Sequence, residues 1–188
     1  MSRLRTINVH GHTYFVTTKV WHDMPIFVSD AYCRIILDNL RFYSKSKKFD
    51  VIGYVIMPNH LHYIIWPESK YFISNILRDF KKHTAKQIIE QLKYDKREGR
   101  IQNPAYQLPR GIPNPASSEW TKTMLNTFYL NSSKQEFRVW QPNNWVENIY
   151  SERFLEQKLN YIHDNPVRAG FVINPEDFPY SSAFDSFL

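Results

Sequence analysis

A second cysteine is missing from this chain of 188 residues, so no internal disulfide framework can form, and Cys33 alone fits a reducing compartment. Long hydrophobic runs are missing too. Hydrophobic residues make up 43% of the sequence, yet no stretch approaches the roughly 20 consecutive apolar residues that a bilayer span requires, and no membrane partner is expected. The opening segment MSRLRTINVHGHTYF has neither the apolar block nor the small-residue cleavage site of a secretory signal, and a cytoplasmic location is expected. Repeats and low-complexity tracts are also lacking. The length then predicts one domain over residues 1–188, large enough to bury a core of its own.

Positive charge is plentiful and unevenly placed. The net charge is +6, but residues 1–100 carry 17 Lys+Arg against 9 Asp+Glu, and residues 101–188 carry 7 against 9. Part of the excess falls on Arg78, Lys81, Lys82 and Lys86. Clustered cations suit a polyanion such as nucleic acid, because neutralised phosphates release counterions. A solvated helix face accounts for the same cluster equally well. Aromatic residues reach 16%; beside cations they can stack single-stranded bases, although most belong to a core.

The periodicity predicts an order of elements. HTYFVTTKV (12–20) reads as a strand, and Ser29 or Asp30 caps a helix carrying Tyr32, Ile36, Leu40 and Tyr43 on one face. FDVIGYVI (49–56), the turn signal Pro58-Asn59 and HLHYIIW (60–66) read as a hairpin. A longer helix fits Ile73, Ile76, Leu77, Phe80, Ile88, Ile89 and Leu92. Between about 95 and 136 prolines break the pattern, which predicts a long loop insertion with short elements around KTMLNTFYL. EFRVWQP is the expected fourth strand, and SERFLEQKLNYIHDNP the expected last helix, stopped by Pro166. The βαββαβ order points to a ferredoxin-like α+β fold, with a central antiparallel sheet and helices on one face.

Two histidines interrupt the hairpin at the mouth of its second strand. In a strand, residues i and i+2 share a face, so His60 and His62 project together, and two neutral imidazoles so placed can hold a divalent metal. A third ligand is still required, and an isolated His-x-His arises often by chance. His10-Gly11-His12 is such a pair, read as structural or exposed. A second motif, NYIHDNPVRAGFV (160–172), supplies candidates. Tyr161 and Asn165 lie four residues apart, on one face of a helix. The residue before a proline resists helical geometry, so Asn165 is expected where the helix unwinds, its amide oxygen free to bind a metal. Tyr161 is a weak nucleophile at an ordinary pKa of about 10, a handicap that a metal on a phosphodiester offsets. Taken alone, Tyr161 reads first as an amphipathic core residue.

Together, MPNHLHYII and KLNYIHDNPVRAGFV resemble the motifs of the HUH single-tyrosine transposases, in which two histidines flank a bulky hydrophobe. The chain is most similar to the REP-associated tyrosine transposases and their insertion-sequence-200-like relatives, with supporting matches at YFVTTKV, VIGYVIMPNH and FPYSSAF. The resemblance covers about 12–90 and 137–184. It implies a ferredoxin-like sheet with the histidine strand at its centre, and His60, His62 and Asn165 as ligands of Mg²⁺ or Mn²⁺. It further implies Tyr161 as the nucleophile that cleaves single-stranded DNA near a hairpin, leaving a 5′-phosphotyrosine and a free 3′-hydroxyl. Lys81, Lys82, Lys86 and Arg168 are candidate phosphate contacts. Some members form homodimers that complete each other's sites, and others work alone. Three other readings stay open: a DNA-binding protein of this fold without catalysis, a metal-dependent nuclease using water, and an RNA-binding sheet.

Overall fold

The structure is a computed structural model that describes residues 11–46, 48–99, 107–108, 114–115, 117–133 and 135–184. Its main elements are β1 (Thr13–Lys19), α1 (Asp30–Lys45), β2 (Phe49–Met57), β3 (His60–Pro67), α2 (Ile73–Glu98), α3 (Ser118–Phe128), β4 (Trp145–Ile149) and α4 (Glu152–Arg168). Local chemistry sets their limits. Pro58 and Asn59 form a two-residue turn that leaves Met57 paired with His60. Gly99 ends α2 in a left-handed conformation (φ 59°), its N–H returning to the Asp95 carbonyl. Ser117 and Ser151 cap α3 and α4 by accepting from the N–H groups of Trp120 and Phe154.

The sheet is antiparallel throughout, in the order β2-β3-β1-β4, which is the ferredoxin-like arrangement expected from the sequence. β1 and β3 are central. On one face, Tyr43 of α1 stacks on Phe49 and Phe80 of α2 tilts against Tyr63. These two helices form the expected helical layer. The fourth helix, α4, crosses the opposite face, where a Cβ on Gly53 would come within 2.4 Å of Leu159 Cδ1. Glycine is what lets the helix settle there. A bulge at Ile52 shifts the alternation of β2, so that Gly53 pairs with Ile64 and faces α4. Beyond the outer edge of β2, the C-terminal segment continues the pairing through Ile56 N–H to the Tyr180 carbonyl and Ser182 N–H to the Tyr54 carbonyl.

Three expectations are corrected. The fourth strand is Trp145–Ile149, not EFRVWQP: Phe137 and Trp140 make only isolated bridges, to Tyr129 and Val20. The earlier segment is held instead by its side chains, Trp140 lying buried with its indole N–H on Thr84 Oγ1 of α2. Helix α4 does not stop at Pro166 but runs through it to Arg168. Pro166 is buried, and packing offsets the lost backbone bond so close to the helix end. Asn165 is therefore helical, its carbonyl accepting from Ala169 N–H. The stretch 95–136 is not one loop, since α2 continues to Glu98 and α3 fills Ser118–Phe128, with Trp120 packed against Tyr32 of α1. Much of what lies between is outside the described residues, as is His10 of the N-terminal histidine pair.

Candidate active site

His60 and His62 stand on the α4 face of β3 with ring centroids 4.7 Å apart. Each is oriented through Nδ1. His60 Nδ1–H donates to Asn59 Oδ1 at 2.7 Å, and His62 Nδ1 bonds Thr17 Oγ1 of β1 at 2.8 Å. These bonds fix the direction of both rings; for His60, whose partner oxygen can only accept, Nδ1 carries the proton and Nε2 keeps the free lone pair. Burial is the main cause that lowers both pKa values, His60 to about 4 and His62 to about 3. The neighbouring charge of Lys19 adds to this for His60, and those of His60, Lys158 and Lys19 for His62. Both imidazoles are therefore neutral at physiological pH, the form that binds a metal.

Helix α4 brings Tyr161 to the same place. Its ring lies 5.3 Å from that of His62 and edge-on to Phe15 at 5.9 Å, while Phe15 stacks on His62 at 5.5 Å. Tyr161 remains 37% exposed. Asn165 follows one turn later and Arg168 one turn after that, with its guanidinium 5.9 Å from the centre of the Tyr161 ring. These contacts lie within a single chain. Tyr150, the other tyrosine near α4, is 79% exposed and stacks on Phe154, not on the histidines. His163 bonds Ser182 Oγ at 2.9 Å and ties α4 to the C-terminal segment.

The three lysines of α2 are placed differently. Lys81 is turned inward: its ammonium donates to the carbonyls of Gln141 and Pro142, and burial pushes its pKa down to about 8. Lys82 and Lys86 are exposed and border a groove of about 570 Å³ against Phe137, Arg138 and Trp140. The lining residues of this groove do not include His60, His62 or Tyr161. A feature beside the site that is not visible in sequence is the pair formed by Lys158 of α4 and Glu147 of β4, at 2.5 Å. Burial works against the Glu147 charge, but hydrogen bonds from Lys158 and Trp145 prevail and hold its carboxyl below the ordinary value. The only advance signal was that Lys158 sits one turn before Tyr161.

Among the described residues, no group of three or more His, Cys, Asp or Glu side chains could hold a metal. The donor set nonetheless fits a divalent ion. Neutral imidazoles and an amide oxygen are donors that a divalent ion takes, and Asn165 is one turn from Tyr161 on the same helical face. No helix of the described residues is long and apolar enough to cross a membrane.

Fold and site together define an α+β domain of ferredoxin-like topology that displays a histidine pair and a tyrosine on its thinly covered face. The chain belongs to the IS200-like transposases, whose family model matches residues 10–107. That match includes the histidine hairpin and ends before α4. A REP-associated tyrosine transposase of Escherichia coli K12 is 20% identical over 182 residues, 97% of this chain and 82% of that one. A Haemophilus influenzae chain assigned to the same REP-associated group is 38% identical over 56 residues, a local match of 28% of this chain and 32% of the relative. Among solved structures, a REP-associated tyrosine transposase bound to a REP hairpin superposes with a TM-score of 0.62 at 20% identity, covering 97% of this chain and 82% of the other.

Proposed function

We propose that this protein cleaves and rejoins single-stranded DNA at hairpin-associated sites through a covalent link to Tyr161. One observation carries the reading: Tyr161 and His62 come into ring contact on an open face, although 99 residues separate them in the chain. A core tyrosine would be buried, and a chance His-x-His would not have both Nδ1 atoms held.

In the proposed reaction the Tyr161 hydroxyl oxygen attacks phosphorus in line and its proton leaves to solvent. The bond from phosphorus to the 3′ oxygen breaks, and that oxygen takes up a proton. The products are a 5′-phosphotyrosine and a free 3′-hydroxyl. Attack of a 3′-hydroxyl on a phosphotyrosine reverses the exchange and rejoins a strand, so no nucleotide triphosphate is needed. His60, His62 and Asn165 would hold Mg²⁺ or Mn²⁺, which when bound supplies polarisation of the phosphate and offsets the charge that develops on it. Arg168, whose guanidinium lies beside the Tyr161 ring, would contact a neighbouring phosphate. Lys82 and Lys86 would serve DNA that passes onto the α2 side. Hairpin DNA is the proposed partner, in keeping with the hairpin carried by the solved relative. In this arrangement α4 packs on the sheet of its own chain.

A covalent-adduct assay tests this. Purified protein is mixed with labelled single-stranded hairpins from the DNA flanking its gene, with Mg²⁺ or Mn²⁺, and run on a denaturing gel. A DNA-linked protein band that disappears with EDTA and in Tyr161→Phe is expected. Cut DNA with no linked protein would replace the tyrosine by water as nucleophile. Tight binding with neither product would leave a DNA-binding protein without catalysis.

A further inference from the structure

We propose that Trp145 is the stacking platform for an unpaired base of single-stranded DNA, adjacent to the phosphate that the histidines receive; this rests on the DNA-cleaving reading above. The register places it. Thr17 pairs with His62 on one side and with Trp145 on the other, so the three form a row across β3, β1 and β4. Directly paired residues share a face, which puts the indole on the same surface as His62. Two inter-strand steps separate them, roughly 10 Å, within reach of a base whose own phosphate lies at the histidines.

The indole has the character of a binding group. It is 51% exposed on an edge strand, unusual for the residue with the largest apolar surface. It is also held in position, because its N–H donates to Glu147 and Glu147 in turn receives Lys158. Lys158 is only 18% exposed at its side chain and lies 4.5 Å from the centre of the Phe15 ring, which itself touches His62 and Tyr161. The platform is thereby indexed to the nucleophile through Glu147, Lys158 and Phe15. A ring fixed before binding loses little freedom when a base settles on it. Every base offers a π-face, so such a contact tolerates sequence.

The test combines a side-chain change with a base removal. The full-length protein is titrated, by fluorescence anisotropy, with the labelled hairpin oligonucleotide that forms the adduct and with copies carrying an abasic site at each nucleotide near the cleaved bond in turn. Trp145→Ala is expected to weaken binding roughly 5- to 150-fold, the span of one base–aromatic stack, and Trp145→Phe to restore most of it. At one position the abasic penalty seen in the wild type should vanish in Trp145→Ala. A tryptophan that only braces Glu147 would not cancel a missing base. Unchanged binding, or penalties that simply add at every position, would overturn the proposal while wild-type adduct still formed. Failure of the wild type to form any adduct would instead remove the underlying reading, and the platform with it. If Trp145→Ala does not fold, Trp145→Leu keeps apolar bulk without the π-face and carries the same scan.

Discussion

On one face of the sheet α1 and α2 bury seven and nine residues, whereas on the other α4 buries only Ile162 and Pro166 across its 17 residues. The first face carries closely packed aromatic and branched side chains, with Tyr43, Phe49, Phe80 and Tyr63 in mutual ring contact. The second is tied down at separate points: Leu159 over Gly53, Lys158 on Glu147, and His163 on Ser182. Burial is concentrated on the first face, and the proposed chemistry falls on the second, where the cover is thin. The contrast yields experiments that separate folding from function.

The largest effect expected is on the open face. Tyr161→Phe should abolish adduct formation while shifting unfolding free energy by no more than about 0.5 kcal/mol, as for exposed positions generally; a denaturing gel and a urea titration on the same sample read both. Phe80→Ala should do the reverse. It empties the packed face and should cost about 3–5 kcal/mol in urea unfolding, with adduct formed per folded molecule unchanged at low temperature. A parallel loss in both readouts would dissolve the distinction between faces.

Acid provides a third probe. His60 and His62 are neutral in the folded state with pKa values of about 4 and about 3, against an ordinary 6.5. As pH falls below about 6.5 the unfolded chain takes up these protons first. The stability present above that pH is then lost progressively down through the folded values, by up to about 1.4 kcal/mol per pH unit for each histidine. His62→Gln should flatten the slope of unfolding free energy between pH 6.5 and 4 relative to the wild type. Equal slopes would mean that His62 is not held neutral by burial. The smallest effect is expected from Gly53→Ala. The added methyl group must push Leu159 aside, an overpacking on the order of 1 kcal/mol. Its effect on adduct rate should exceed its effect on stability, because Leu159 lies two residues from Tyr161.

The packed face was the readable one. Ile36, Leu40 and Tyr43, or Ile73, Leu77 and Phe80, repeat at helical spacing because one side of each helix meets a core, and the hairpin was marked by Pro58-Asn59 between two β-rich runs. The open face was harder to read. WVENI and EFRVWQP each carry three strand-favouring residues, so composition does not choose between them; WVENI pairs as an edge that buries only Ile149, whereas EFRVWQP spends Trp140 on α2. Pro166 indicated a stop that packing overrides. Within β2 the extra residue Ile52 changes the parity of the inward positions, from 49 and 51 to 54 and 56, and hides the strand's period. The histidines and Tyr161 were legible because both lie in dense local motifs. Lys158, Glu147 and Trp145 come together only through strand pairing and helix docking, and no local spacing encodes that.

Tyr161 and the histidine pair meet within one polypeptide, and under the proposed function this has a bearing on gene dosage. If assembly of the site involves no second molecule, output rises in direct proportion to copy number, with no threshold of expression below which the protein is idle. A single newly made chain is as competent, per molecule, as a crowded population. Dilution in the test tube should leave turnover per molecule constant. In the cell, restraint of such an element must come from how rarely the chain is made or how seldom single-stranded DNA is exposed, rather than from the odds of two copies meeting.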